Sequence, residues 1–254
     1  MSKILIEAFP KEKKPVPDIP YLNVSEFYMD TIQGEGIYAG VPAAFLRLQG
    51  CKVGCKFCDT KEVWREGNPY SIQELFEIIQ NTDLPDKLKN RNHHLVITGG
   101  SPLLQQENLL VFLEAFEDTF YFHPFTEIEN ECSIIPSDEI LSLIDCWNNS
   151  PKLFNSGVLL SHRYNEKAIA KVVNFGDEAW FKFVISDESD WDEISDRYIR
   201  NSLISPSKII LMPEGATPSE IAEKREMVID IAIKYGVRYS TREHIMVWGK
   251  KTGV

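Results

Sequence analysis

The sequence predicts an α/β fold built on a parallel β-sheet, open or curved into a barrel, and three observations carry that expectation. Short apolar runs alternate along the chain with longer runs whose apolar residues recur every three or four positions, as strands separated by amphipathic helices do. Two of the short runs, "AWFKFVIS" and "SKIILMP", are almost continuously apolar, as expected of strands covered on both faces. No repeat, low-complexity run or long Gly/Ser linker divides the 254 residues, so residues 23–254 are expected to form a single domain.

Residues 1–22 carry Pro10, Pro15, Pro17 and Pro20, which deny both helix and central strand, and are expected to form an extended arm. The ordered body begins near Val24, and "AAFLRLQG" is its first clear strand. "SIQELFEIIQ" is a helix: Ser71 and Glu74 have capping-box spacing, and Ile72, Leu75, Phe76 and Ile79 share one face. "HHLVITGG" reads as a strand ending in a Gly pair, and "QENLLVFLEAF" places Leu109, Phe112, Leu113 and Phe116 on one helical face. "TFYFHPFTEIE" is a strand candidate interrupted by Pro124, while "SDEILSLIDCW" lines up Ile140, Leu143, Ile144 and Trp147 at helical spacing. In "TPSEIAEKREMVIDIAIKYG", Thr217 and Glu220 are spaced as a capping box, Pro218 takes the first helical position and Gly236 the stop. The terminal "HIMVWGKKTGV" reads as strand-like, with His244 and Trp248 in packing roles. In folds of this class ligands sit at the C-terminal ends of strands.

A net charge of −11 argues against sequence-independent binding to nucleic acid, which depends on clustered Lys and Arg. Any anionic ligand must be met by local cations. No window approaches the roughly 20 apolar residues of a membrane span, and the N-terminal apolar run is too short for a secretory signal, so a cytoplasmic protein without membrane contact is expected. In that reducing compartment clustered cysteines point to metal binding or catalysis more than to disulfides. Cys132 and Cys146 stand alone and read as small buried hydrophobes.

Cys51, Cys55 and Cys58 are spaced C-x3-C-x2-C directly after a predicted strand. A closed zinc site wants four N or S ligands; the nearest later candidates, His93 and His94, open a strand and point to opposite faces by alternation. A 4Fe-4S cluster usually takes four cysteines, so three leave one iron open to another ligand. Spacing alone leaves both metals in play.

With Phe57 before its last cysteine, this triplet resembles the signature of the radical S-adenosylmethionine enzymes. The resemblance implies a partial, open parallel β/α barrel in which S-adenosylmethionine chelates the open iron and yields a 5'-deoxyadenosyl radical, with no catalytic side chain required beyond cluster and cofactor. "ITGGSP" stands where that superfamily has a Gly-Gly-Glu-Pro turn, which implies cofactor contacts from Gly99, Gly100 and Ser101. Ser101 replaces the usual glutamate, so its contact to the methionine ammonium lacks a charge.

The stretch "DTIQGEGIYAGVPAAFLRLQGCKVGCKFCDT" is similar to the N-terminal motif of the 7-carboxy-7-deazaguanine synthase family. "SPKLFNSG", "FKFVISD", "LMPEGATPSE" and the terminal "HIMVWGKKTGV" extend the likeness over residues 24–254, patchily through 62–92 and 187–206. What it implies is conversion of 6-carboxy-5,6,7,8-tetrahydropterin to 7-carboxy-7-deazaguanine with loss of ammonia, a homodimer, Mg²⁺, and an electron donor such as a flavodoxin. Arg47 is implied to grip the substrate carboxylate, a task suited to a guanidinium fork. Ile32, Gln33, Gly34 and Glu35 are implied at the pterin ring, Thr98 near the substrate, Thr60 on Mg²⁺, and Val254 at the pocket's closure. Glu129, Ser150, Pro151, Lys152, Met212, Pro213, Glu214 and Gly215 are implied around S-adenosylmethionine. "ENEC", Glu129 to Cys132, departs from the family's Glu-Thr-Asn-Gly at that strand end. Two alternatives keep part of this pattern: a glycyl-radical activase acting on a protein partner, and a zinc-stapled interaction module without catalysis.

Overall fold

The computed structural model describes residues 2–90 and 92–253. Its strands are β1 (Lys3–Ile6), β2 (Tyr21–Ile32), β3 (Pro42–Leu48), β4 (Asn68–Ser71), β5 (His94–Gly99), β6 (Phe125–Asn130), β7 (Cys146–Asn149), β8 (Ala179–Ile185), β9 (Ile209–Pro213) and β10 (Arg238–Tyr239). They form one open sheet in the order β1-β2-β3-β5-β6-β7-β8-β9-β10, with β4 paired to β2 off that path. From β3 to β10 every neighbouring pair is parallel, whereas β1, β3 and β4 all run antiparallel to β2. Helices α1 (Lys61–Arg65), α2 (Ile72–Gln80), α3 (Leu84–Lys89), α4 (Gln106–Phe120), α5 (Asp138–Leu143), α6 (Leu160–Arg163), α7 (Glu166–Val173), α8 (Asp190–Ile194), α9 (Pro218–Tyr235) and α10 (Glu243–Trp248) fill the connections.

Period-two alternation decides which strand residues meet the helices. Leu46 and Leu48 of β3, Leu95 and Ile97 of β5, and Phe181 and Phe183 of β8 join one core with Leu75 and Phe76 of α2, Phe112 and Phe116 of α4, and Val228 of α9. Intervening residues turn to the other face. Glu26 and Tyr28 of β2, Arg47 of β3, Thr98 of β5, Glu129 of β6, Asn148 of β7, Lys182 of β8 and Met212 of β9 all line one cavity. Side chains from seven strands can share a cavity only because the sheet curls around it, as an open barrel does.

The expected caps at Ser71 and Gly236 are present, and the capping box expected of Thr217 and Glu220 is made only in half. Ser71 and Glu74 close a complete capping box, and Gly236 ends α9 at φ +67°. At the start of α9 Thr217 accepts from the Glu220 N–H at 3.3 Å, and the Glu220 carboxylate accepts from the Ala216 N–H at 2.7 Å.

Three expectations are corrected. In "TFYFHPFTEIE" helix α4 continues to Phe120, left-handed Tyr121 (φ 60°) stops it, and β6 starts only at Phe125, past Pro124. In "SDEILSLIDCW" the helix ends at Leu143, and Trp147 packs from strand β7; its helical spacing is coincidental, since an inward residue on the next strand meets the same core. The terminal run is helix α10 followed by a short tail.

Candidate active site

The cavity lies at the C-terminal ends of the parallel strands, where β3 hands over to the cysteine loop. Cys51, Cys55 and Cys58 all line it, with Phe57, Thr60 and the Gly99–Gly100 turn. Cys55 is buried, while Cys51 and Cys58 are half-buried. Two N–H donors approach the sulfurs: the Gly54 N–H lies 3.3 Å from Cys51 Sγ, and the Trp64 indole N–H lies 3.4 Å from Cys58 Sγ. Such bonds stabilise thiolates and tune iron–sulfur clusters. Burial pushes the Cys55 thiol up, against the pull of nearby Lys152.

The glycine turn is pressed onto this loop. A side chain at Gly100 would strike Cys51 and the Gly50 carbonyl, and one at Gly99, whose φ is +146°, would strike the Leu48 backbone. Bare backbone therefore faces the cavity beside the thiols. This donor set fits a cluster with three thiolate ligands and a small polar cofactor laid against the strand ends. A structural zinc site wants four N or S ligands, and the cysteine loop offers three.

The "QGEG" segment, which lines the same cavity, is fixed by a buried carboxylate. Gln33 donates its amide to Glu127 at 3.3 Å, and that fully buried carboxylate also accepts from Asn148 at 2.6 Å and meets His94 Nδ1 at 2.5 Å. Glu127 thus sets the Gln33 amide. Ile32 and Gly34 line the same wall, and Gly34 sits so close to His244 that it has no room for a side chain.

Arg47 donates from Nε to Glu26 Oε1 at 2.7 Å across the β2–β3 pair. Burial works against its charge, but Tyr28 and Glu26 raise the guanidinium above its ordinary value. Thr98 donates to Glu129 at 2.5 Å. A second charged group surrounds Glu35, which pairs with Lys182 and, at 2.8 Å, with Arg242 Nε. Arg242 also pairs with Asp59 of the cysteine loop and donates to the Gly215 carbonyl at 2.7 Å. Burial alone would raise Glu35; Lys182, Arg242 and His244 outweigh it and hold the carboxyl well below its ordinary range. Asp59 is lowered too, Arg242 overcoming its burial.

Most expected residues therefore line one cavity, Ser150, Lys152, Met212, Glu214 and Gly215 included. Pro151 and Pro213 are buried but stand outside the lining. So does Ser101: its hydroxyl accepts from the Lys52 N–H at 2.9 Å and lies 4.0 Å from Cys51 Sγ, so it braces the cysteine loop. Val254 lies outside the described residues. Sequence reasoning passed over Glu26, Lys182, Arg242 and Glu131, all cavity-lining. For Lys182 a signal existed, a charged residue inside the apolar run "AWFKFVIS", the same signal that singled out Arg47.

Comparison with known proteins agrees with this geometry. Residues 32–130 match the model of a 4Fe-4S single cluster domain. A 7-carboxy-7-deazaguanine synthase of Pyrobaculum aerophilum is 32% identical over 240 residues, covering 92% of this chain and 98% of the relative. One from Halobacterium salinarum is 29% identical, covering 91% and 92%. The crystal structure of QueE from Escherichia coli superposes with a TM-score of 0.62 over 88% of this chain and 95% of that one, at 22% identity, and so shares the fold.

Proposed function

The chain belongs to the 7-carboxy-7-deazaguanine synthase family of radical S-adenosylmethionine enzymes, and from that premise we propose that the cavity inside the curled sheet is its active site. The reaction converts 6-carboxy-5,6,7,8-tetrahydropterin to 7-carboxy-7-deazaguanine with loss of ammonia, a carbon–nitrogen lyase step in 7-deazapurine and queuosine biosynthesis. One observation carries the site assignment: the cysteine triplet, "QGEG", Arg47 and the Gly99–Gly100 turn, distant in sequence, line one cavity. When bound, the 4Fe-4S cluster and S-adenosylmethionine supply the radical that abstracts hydrogen from the substrate.

The protein's own task is to hold and orient. Cys51, Cys55 and Cys58 would ligate three irons, while the Gly99–Gly100 backbone, Ser150, Lys152 and the Met212–Gly215 turn would bind S-adenosylmethionine. Arg47, already protonated and steadied by Glu26 at its Nε, would take the substrate carboxylate with its terminal guanidinium N–H groups. Gln33, aimed by Glu127, would read the edge of the pterin ring. Thr60 would offer a neutral oxygen to Mg²⁺, an ion that commonly keeps waters and takes further oxygens from substrate. The Glu35–Lys182–Arg242 group would seal the far wall and fix the loops that carry Asp59 and Gly215. An external one-electron donor such as a flavodoxin, a homodimer and a cytoplasmic setting complete the proposal, each resting on the family likeness. Among the described residues no helix is long and apolar enough to cross a membrane.

The test is anaerobic incubation of the iron- and sulfide-reconstituted protein with reductant, S-adenosylmethionine, Mg²⁺ and 6-carboxytetrahydropterin, with products read by mass. A deazaguanine carboxylic acid that requires every component is expected. Its absence with the cluster intact would sink the assigned reaction.

A further inference from the structure

The N-terminal arm belongs to no step of the chemistry, yet its Ser2 is bonded to Gly253 at the far end of the described residues. Helix α10 ends at Trp248, and the tail that follows, Gly249–Gly253, lines the cavity. Lys250, Lys251 and Thr252 are exposed, whereas Gly253 is buried. The tail is thus a short bridge anchored at both ends. At its start α10 is fixed through the Arg242 ion pairs and through the Glu243 N–H, which donates to the Gly34 carbonyl at 2.9 Å. At its finish the Ser2 hydroxyl donates to the Gly253 carbonyl at 2.5 Å, and the Ile4 side chain lies over Gly253 so closely that an added Cβ would come within 3.3 Å of it.

Strand β1 makes a firm second anchor. It pairs with β2 through Lys3–Met29, Ile4–Tyr28 and Ile6–Phe27. Further along, the arm is tied down again: Lys13 pairs with Glu66 at 2.7 Å, Lys14 with Glu74 at 2.6 Å, and Asn68 donates to the Glu12 carbonyl at 2.8 Å. Lys14 also stands 3.9 Å over the Tyr70 ring. The arm therefore straps the tail to the sheet.

We propose that β1, with Ser2 just ahead of it, is a positioning element for substrate binding: Ser2 and Ile4 hold the tail in place over the cavity before the pterin arrives. The physical ground is entropy. A five-residue segment with a glycine at each end, left free, would have to be ordered each time ligand bound, and ordering it in advance removes that cost from the affinity. The tail continues the helix bonded to Gly34, so the ligand concerned is the one met by "QGEG". This part rests on the proposed placement of the pterin there; the restraint of the tail does not.

The test uses the full-length, cluster-loaded protein carrying Ser2→Ala and Ile4→Ser, with Ser2→Thr and Ile4→Val as the conservative control. The KM for 6-carboxytetrahydropterin should rise about tenfold, with kcat and the KM for S-adenosylmethionine moving less than about twofold, the pattern of lost uniform binding. Trypsin trimming after Lys251, followed by intact mass without ligand, should quicken about tenfold, because cleavage samples locally opened chain. The control should restore both. A chain begun at Glu7 behind an initiator methionine should show the larger effect. Unchanged trimming, or an equal rise in both KM values, would overturn the proposal. Should the parent protein make no deazaguanine product, the KM arm falls with the assigned reaction, and the trimming rate alone decides whether β1 restrains the tail.

Discussion

Arg47 and Glu26 show how one residue's role depends on the partner beneath it. Glu26 is only 3% exposed, and its carboxylate is balanced by the Arg47 guanidinium. Replacing Arg47 by Gln removes the proposed substrate contact and also strands a buried charge, a loss of about 3–5 kcal/mol when one partner of such a pair is taken away. Loss of substrate binding and loss of fold would then be confounded. The double variant Glu26→Gln with Arg47→Gln separates them: thermal stability should largely return, while the pterin KM stays about tenfold or more above the parent value. Recovery of KM along with stability would mean that Arg47 only supports the sheet. Arg47 was legible as a lone cation in an apolar strand. Glu26 was not, because its importance comes from a cross-strand register that places it opposite Arg47, and no local pattern announces that register.

At the scale of elements, what was legible is what is coded locally. Helices α2 and α9 were marked by Ser71 with Glu74, Thr217 with Pro218, and Gly236. Strands β3, β5, β8 and β9 were marked by apolar runs. Helix α10 has only six residues, too few to establish a helical period, and its contacts, the Glu243 amide to Gly34 and the His244 ring to Glu35, are with residues distant in sequence. Arg242 was hidden for the same reason, since its partners Asp59, Glu35 and Gly215 come from three distant loops. The β5 turn was visible as "TGG", but its reason is tertiary: Gly99 holds φ +146° with its Cα against the Leu48 backbone. Gly99→Ala should therefore cost about 1–3 kcal/mol for the strained conformation alone, with further loss from the clash. Thermal melting would read the stability, and visible absorbance of the reconstituted protein would read the cluster. A variant with parent-like melting and full cluster would show that the close approach is dispensable.

For the molecule as a whole, the charge set inside the cavity predicts how stability follows pH. Glu35 has an ordinary pKa of 4.5 and is held well below it in the fold, because Lys182 and Arg242 outweigh its burial. The unfolded chain therefore takes up this proton first as pH falls. The contribution is complete above the ordinary value and is lost as pH drops through the folded-state value. Asp59, lowered by Arg242, acts in the same direction. Thermal midpoints measured from about pH 7 down to about pH 4 should fall more steeply for the parent than for Glu35→Gln, whose overall midpoint is lower because Lys182 and Arg242 lose their counter-charge. Parallel slopes would remove Glu35 from the acid response.

The placing of β1 has a consequence at the margin of the sheet. Strand β2 is 12 residues long, and its outer edge is covered in two pieces, Tyr21–Val24 by β4 and Phe27–Met29 by β1. At the opposite margin β10 has only two residues. A long strand with unpaired N–H and C=O groups is a template for another chain, and short terminal strands are a usual protection. Proteolytic nicking within the arm would uncover backbone beside Phe27 and Met29, apolar residues that are buried now. The damaged protein would then carry a sticky edge, prone to edge-to-edge aggregation with its own kind.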